Sequence, residues 1–99
     1  MSDIEQTLKD RGARYGKFIH HATITQALKM AMRTPGSHWY NLQPDHKEAL
    51  DMIVHKIGRI LAGDPNYADS WHDIAGYATL VENRLNEDQL ERKERLITT

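Results

Sequence analysis

The chain has no cysteine and a single phenylalanine among its 99 residues. Without cysteine there is no disulfide, no thiolate nucleophile and no sulfur ligand for zinc, and a reducing compartment fits. Proline occurs only three times, so little of the chain is forbidden to helix. No apolar run approaches the ~18 residues that cross a bilayer. No alternation of apolar and polar residues marks a strand. The formal net charge is −1, which provides no field for broad nucleic-acid binding. The opening MSDIEQTLKD is acidic from the outset, unlike the basic start of a secretory signal. These absences lead to an expectation of a soluble protein, in the cytoplasm and off the membrane.

What is present is helical. Charged residues make up 27% and hydrophobic ones 39%, enough for the modest core of one domain over 1–99. So polar a chain is expected to complete that core by forming a homo-oligomer. Ser2 and Glu5 form a capping-box pattern ahead of a short helix from about Asp3 to Asp10, which RGARYG interrupts. A second helix runs from Tyr15, or from just after Gly16, to Met32, with Phe18, Ala22 and Leu28 inward. TPGSHWYNLQ reads as a loop turning at Pro35-Gly36. Its Trp39 and Tyr40 either fold back over the core or offer rings to a ligand. Pro44 is placed for a first helical turn, and Gly63, after Ala62, for a left-handed cap. A last helix starts near Asp69 and continues as a charged extension from about residue 86. The expected fold is all-α, a bundle of four or five helices.

Two helices carry organised faces. At helical spacing, Leu50, Ile53, Val54, Ile57, Ile60 and Leu61 form one apolar stripe. Trp71, Ile74, Ala78, Val81 and Leu85 form another. Opposite that second stripe lie Asp69, Asp73, Gly76 and Tyr77. A glycine inside a helix costs about 1 kcal/mol against alanine, so the Gly76 face is expected to meet a neighbouring helix, a second subunit or a ligand. Glu48 and Asp51 are three apart on the preceding helix, and Asp69 and Asp73 four apart on the last. Two such pairs, if they converge, make an oxygen-rich site for Mg²⁺ with room for a phosphate. Lys56 and Arg59 would balance the phosphate charge, and Tyr15 or Tyr77 would touch base or sugar. The plainer readings are a solvated polar face for Glu48 and Asp51 and an N-cap for Asp69. The six histidines include no pair four apart, so zinc is not indicated.

RYGKF and, in the second half, KEALDMIVHKIGRILAGDPNYADSWHDIAGYATLVENRL resemble small proteins encoded by phages and prophages. Those are similar to nucleotide-modification-associated helical domains, with DSWHDIAGYA the most specific stretch and about Arg11 to Leu85 covered. A looser resemblance is to the MazG-type all-α nucleoside triphosphate pyrophosphohydrolases. Their Glu-x-x-Glu and Glu-x-x-Asp pairs hold Mg²⁺. Here Glu48-Ala-Leu-Asp51 has Asp for the second Glu, Asp69 and Asp73 are one residue wider, and Lys47 stands where a further Glu is usual. The resemblance implies a phage nucleotide-handling protein with Glu48, Asp51, Asp69 and Asp73 at the metal, either a Mg²⁺-dependent pyrophosphohydrolase or a degenerate binder. A second expectation is a non-enzymatic protein that sequesters a signalling nucleotide through the same basic residues. A third is a small phage inhibitor that binds a host protein.

Overall fold

The computed structural model describes residues 3–98, so the Ser2 cap lies outside the described residues. Four α-helices follow in order: α1 (Asp3–Tyr15), α2 (Phe18–Met32), α3 (Pro44–Ala62) and α4 (Ala68–Thr98). A 3₁₀ turn at Trp39–Asn41 precedes α3, and no strand occurs among the described residues. The all-α expectation holds. The first helix is longer than expected, because Gly12 faces open space and one glycine costs a helix only about 1 kcal/mol. The chain breaks instead at Gly16, whose φ of +77° suits a residue without Cβ. The second helix therefore starts after Gly16, the later of the two expected positions.

Pro44 opens α3, and Gln43 and His46 complete a capping box in which the Gln43 N–H donates to His46 Nδ1 at 3.1 Å. Gly63 ends α3 with φ −124°, so it is no left-handed cap. Its lack of a side chain serves another purpose: a Cβ there would run into the backbone of Tyr15 and Arg14. Gly16 mirrors this, since its Cβ would overlap the Ala62 carbonyl. The ends of α1 and α3 thus cross backbone on backbone. The Asp64 N–H closes the crossing by donating to the Arg14 carbonyl at 2.8 Å.

Helix α3 is the middle of the molecule, with α2 packed on one side, α4 on another and α1 across its end. The α2 contact is close because Gly58 carries no side chain. A Cβ there would lie 2.5 Å from Thr25 Cγ2 and 2.9 Å from His21 Nδ1. That approach turns His21 and Thr25 inward, both buried, and leaves Phe18 79% exposed, contrary to the inward placement expected for it. Trp39 does fold back and is buried. Arg33 stacks over its ring at 3.8 Å while donating to both Asp51 oxygens at 2.9 and 3.1 Å.

Helix α4 is rotated from the expected orientation. It meets α3 through buried Ser70 and half-buried Ile74, Tyr77 and Val81. Asp73 binds Lys56 at 2.8 Å and Arg84 binds Asp45. These ion pairs draw a mixed face inward and leave the Trp71 stripe partly uncovered, Trp71 itself being 55% exposed. The radius of gyration is 18.1 Å, against about 13 Å for a compact domain of this length. The excess lies in the end of α4, where every described residue from Leu85 to Ile97 is exposed.

Candidate functional site

The RGARYGK segment builds a groove. Helix α1 ends against α3, the chain reverses at Gly16, and α2 departs from Lys17. A cavity of about 510 Å³ is left between the α1 end, the start of α2 and the flank of α3. Leu8, Phe18 and Ile19 form an apolar wall, while Arg11, Lys17 and Arg59 bring three cations. No carboxylate lines it. Among the described residues none of these three cations is ion-paired, whereas Arg33, Lys56 and Arg84 each bind an aspartate. Three such cations thus stand together around one groove without a carboxylate.

A ladder of rings and guanidinium groups fixes the groove floor. Arg59 lies over the Tyr15 ring at 4.1 Å. Tyr15 meets Tyr67 edge-to-face at 6.1 Å, and Arg14 covers Tyr67 at 4.5 Å. The Tyr67 hydroxyl donates to Asp69 Oδ2 at 2.9 Å, and this bond raises the Tyr67 pKa. Each cation over a ring contributes about 0.5–2 kcal/mol. Tyr15 and Arg59 therefore face the groove as an ordered pair.

At the inner end of the groove His21 Nε2 and His55 Nδ1 lie 3.3 Å apart, with the rings nearly perpendicular at 80°. Burial lowers the His55 pKa to about 4, helped by the charges of Arg59, His21, Lys56 and Lys29. Burial also lowers that of His21, and nearby Arg59 and Lys29 add to the effect. The Gly58 backbone opposes it, yet His21 Nδ1 has no partner in hydrogen-bonding geometry. Both rings are neutral at pH 7, so one proton is shared along the bond.

The residues expected at the site divide between two places. Tyr15 and Arg59 come together in the groove. Lys56 does not: it is buried and committed to Asp73, whose carboxyl it holds below its usual pKa. Tyr77 lies apart, beside Asp73, Gly76 and Leu80 in a shallower depression. The expected convergence of Glu48, Asp51, Asp69 and Asp73 on one ion is not what the fold builds. Asp51 is clamped by Arg33, Asp69 accepts from Tyr67 and Asp73 is bound to Lys56. Glu48 stays exposed on α3. Among the described residues no three His, Asp or Glu side chains gather as metal ligands would. A Cβ on Gly76 would meet nothing within 4 Å, although Asp73 of the same face is turned to Lys56 of α3.

Sequence reasoning passed over Arg11, Lys17, His21 and His55 as a set. Arg11, Arg14 and Lys17 recur every third residue in RGARYGK, a signal that was available. His21 and His55 are 34 residues apart and leave no local pattern.

A family model, described as a domain of unknown function, matches residues 2–85. The chain belongs to the DUF6378 family. The match takes in α1, α2, α3 and the first half of α4, so every groove residue lies within the DUF6378 domain. Residues 86–98 of α4 continue beyond it. No curated protein and no solved structure matches the chain.

Proposed function

We propose that this DUF6378 chain holds a nucleotide in the groove by its phosphate and does not hydrolyse it. The observation that carries the reading is the set of three un-ion-paired cations, Arg11, Lys17 and Arg59, around a groove without a carboxylate. A phosphate there would accept from two guanidinium groups and one ammonium. Charge-assisted bonds of this kind are the strong ones. The apolar wall and the Tyr15 ring suit a base or sugar. The hydrolytic alternative asks carboxylates to gather Mg²⁺, and the aspartates expected for that are engaged with Arg33, Lys56 and Tyr67. The resemblance to phage proteins sets the reading in a phage-infected cell, where the ligand would be a signalling nucleotide kept from its receptor.

The test is a titration by calorimetry of nucleotides and cyclic dinucleotides, with Mg²⁺ and with chelator. Binding is expected without metal. Arg11→Gln and Lys17→Gln alter exposed side chains, so they leave the fold intact, and each is expected to weaken binding about tenfold, from ~1.5 kcal/mol per charged bond. Binding that requires Mg²⁺, fails in Asp73→Asn and ignores Lys17→Gln would return the function to the carboxylates.

A further inference from the structure

Three large apolar side chains stand open beside the three cations of the groove: Phe18 is 79% exposed, Ile19 66% and Leu8 61%. A lone exposed apolar residue means little, but several along one cavity mark a surface that a ligand covers. Phe18 is the single phenylalanine of the chain, and among the rings that line the cavity it is the one left largely open. Tyr15 lies under Arg59 at 4.1 Å and meets Tyr67 edge-to-face. His21 and His55 pack on each other with centroids 4.6 Å apart, and His21 is buried. Phe18 has only His21 beside it, tilted by 34° with the centroids 6.1 Å apart. The cavity wall is also short of groups that could read the edge of a base. Among the described residues it includes no amide, carboxylate, serine or threonine side chain. Its uncharged polar side chains are Tyr15, stacked under Arg59, and the two histidines at the inner end, turned to each other.

Resting on the nucleotide reading above, we propose that Phe18 is the platform for the base, which the site recognises by its π-face and not by its edge. The base stacks on the Phe18 ring while Arg11, Lys17 and Arg59 hold the phosphate. One open ring holds one base, so the ligand class is a mononucleotide of any base. Every base has a face, so stacking tolerates them all, and it contributes a factor of about ten or more in affinity. Purines, with the larger face, lead pyrimidines by a smaller factor. A site built to hydrogen-bond the edge would instead reject the wrong base by ~10⁴-fold.

Calorimetry of the full chain with AMP, GMP, CMP and UMP tests this, with ribose 5-phosphate as their baseless counterpart and pyrophosphate as a probe of the cations alone. The four nucleotides are expected within about tenfold of one another and tighter than ribose 5-phosphate, the purines by about tenfold or more. Phe18→Leu keeps an apolar side chain at an exposed position and removes the ring. It is expected to bring the nucleotides down to ribose 5-phosphate and to leave pyrophosphate unchanged, while Phe18→Trp restores the nucleotides. Circular dichroism on both variants checks that the helices persist. A single base preferred beyond the tenfold range overturns the proposal, because the edge is then read. Phe18→Leu that binds nucleotides like the unaltered chain, or that loses pyrophosphate in equal measure, overturns it too and leaves the cation groove standing without the platform. Pyrophosphate that does not bind the unaltered chain, or that ignores Lys17→Gln, sinks the groove reading itself and the platform with it.

Discussion

Replacing Gly16 by alanine strikes the contact that creates the groove. At φ +77° an alanine carries the left-handed penalty of about 1–2 kcal/mol. Its Cβ would also fall on the Ala62 carbonyl, where no side chain can swing aside and the α1–α3 crossing itself must open. Overpacking costs about 1–3 kcal/mol, and backbone against backbone belongs at the upper end. The sum is about 3–5 kcal/mol, against a total stability of roughly 5–15 kcal/mol for a domain this size. Urea unfolding followed by circular dichroism measures it. Gly12→Ala is the internal control, four residues upstream in open space, and is expected to stabilise by up to ~1 kcal/mol. Gly63→Ala attacks the same crossing from the α3 side, so the double variant should fall well short of the summed losses. A Gly16→Ala loss below ~1 kcal/mol would mean that the two backbones are not in contact, and the groove would lose its geometric basis.

Three further outcomes follow from other contacts. Asp73→Asn leaves the buried Lys56 ammonium without its partner, so it should destabilise more than Lys56→Met, which removes the charge and keeps the stem; denaturation midpoints rank the two. His55 has its pKa lowered from 6.5 to about 4 in the fold, so the unfolded chain takes up the proton first. Its contribution to stability is complete above pH 6.5 and is lost as pH falls toward 4, with His21 acting in the same direction; urea midpoints across that range should decline, less steeply in His55→Asn. Gly76→Ala meets nothing within 4 Å and should stabilise the subunit by about 1 kcal/mol; a loss instead would show that another chain packs on that face.

Helices α3 and α4 were legible because their signals are local: Pro44 ahead of an apolar stripe, and a long run free of proline. The extent of α1 was not, since Gly12 and Gly16 look alike in sequence and only the neighbouring backbone of Ala62 separates their roles. Gly63 deceived for the same reason, its freedom going to closeness and not to a left-handed turn. The rotation of α4 escaped because periodicity ranks faces by apolarity. Lys56–Asp73 and Arg84–Asp45 bring a charged face inward over contacts that no local window spans. In the groove, Tyr15 and Arg59 were reached through their setting in RYGKF and in the third helix. Charge compensation stayed hidden, since Arg33 and Arg59 read alike until Asp51 is seen beside one of them.

The spatial order of α2, α3 and α4 is their chain order, and α1 is held mainly at one crossing. A protein arranged this way separates its support from its specificity. Helix α1 contributes Leu8, Arg11 and Tyr15 to the groove and buries none of its own residues, so its sequence ahead of Arg14 is free to drift without loosening the bundle. Exchanging that one N-terminal segment would change which ligand is recognised while the remaining three helices keep folding as before. The groove is in that sense a replaceable part, attached to its chassis by two glycines.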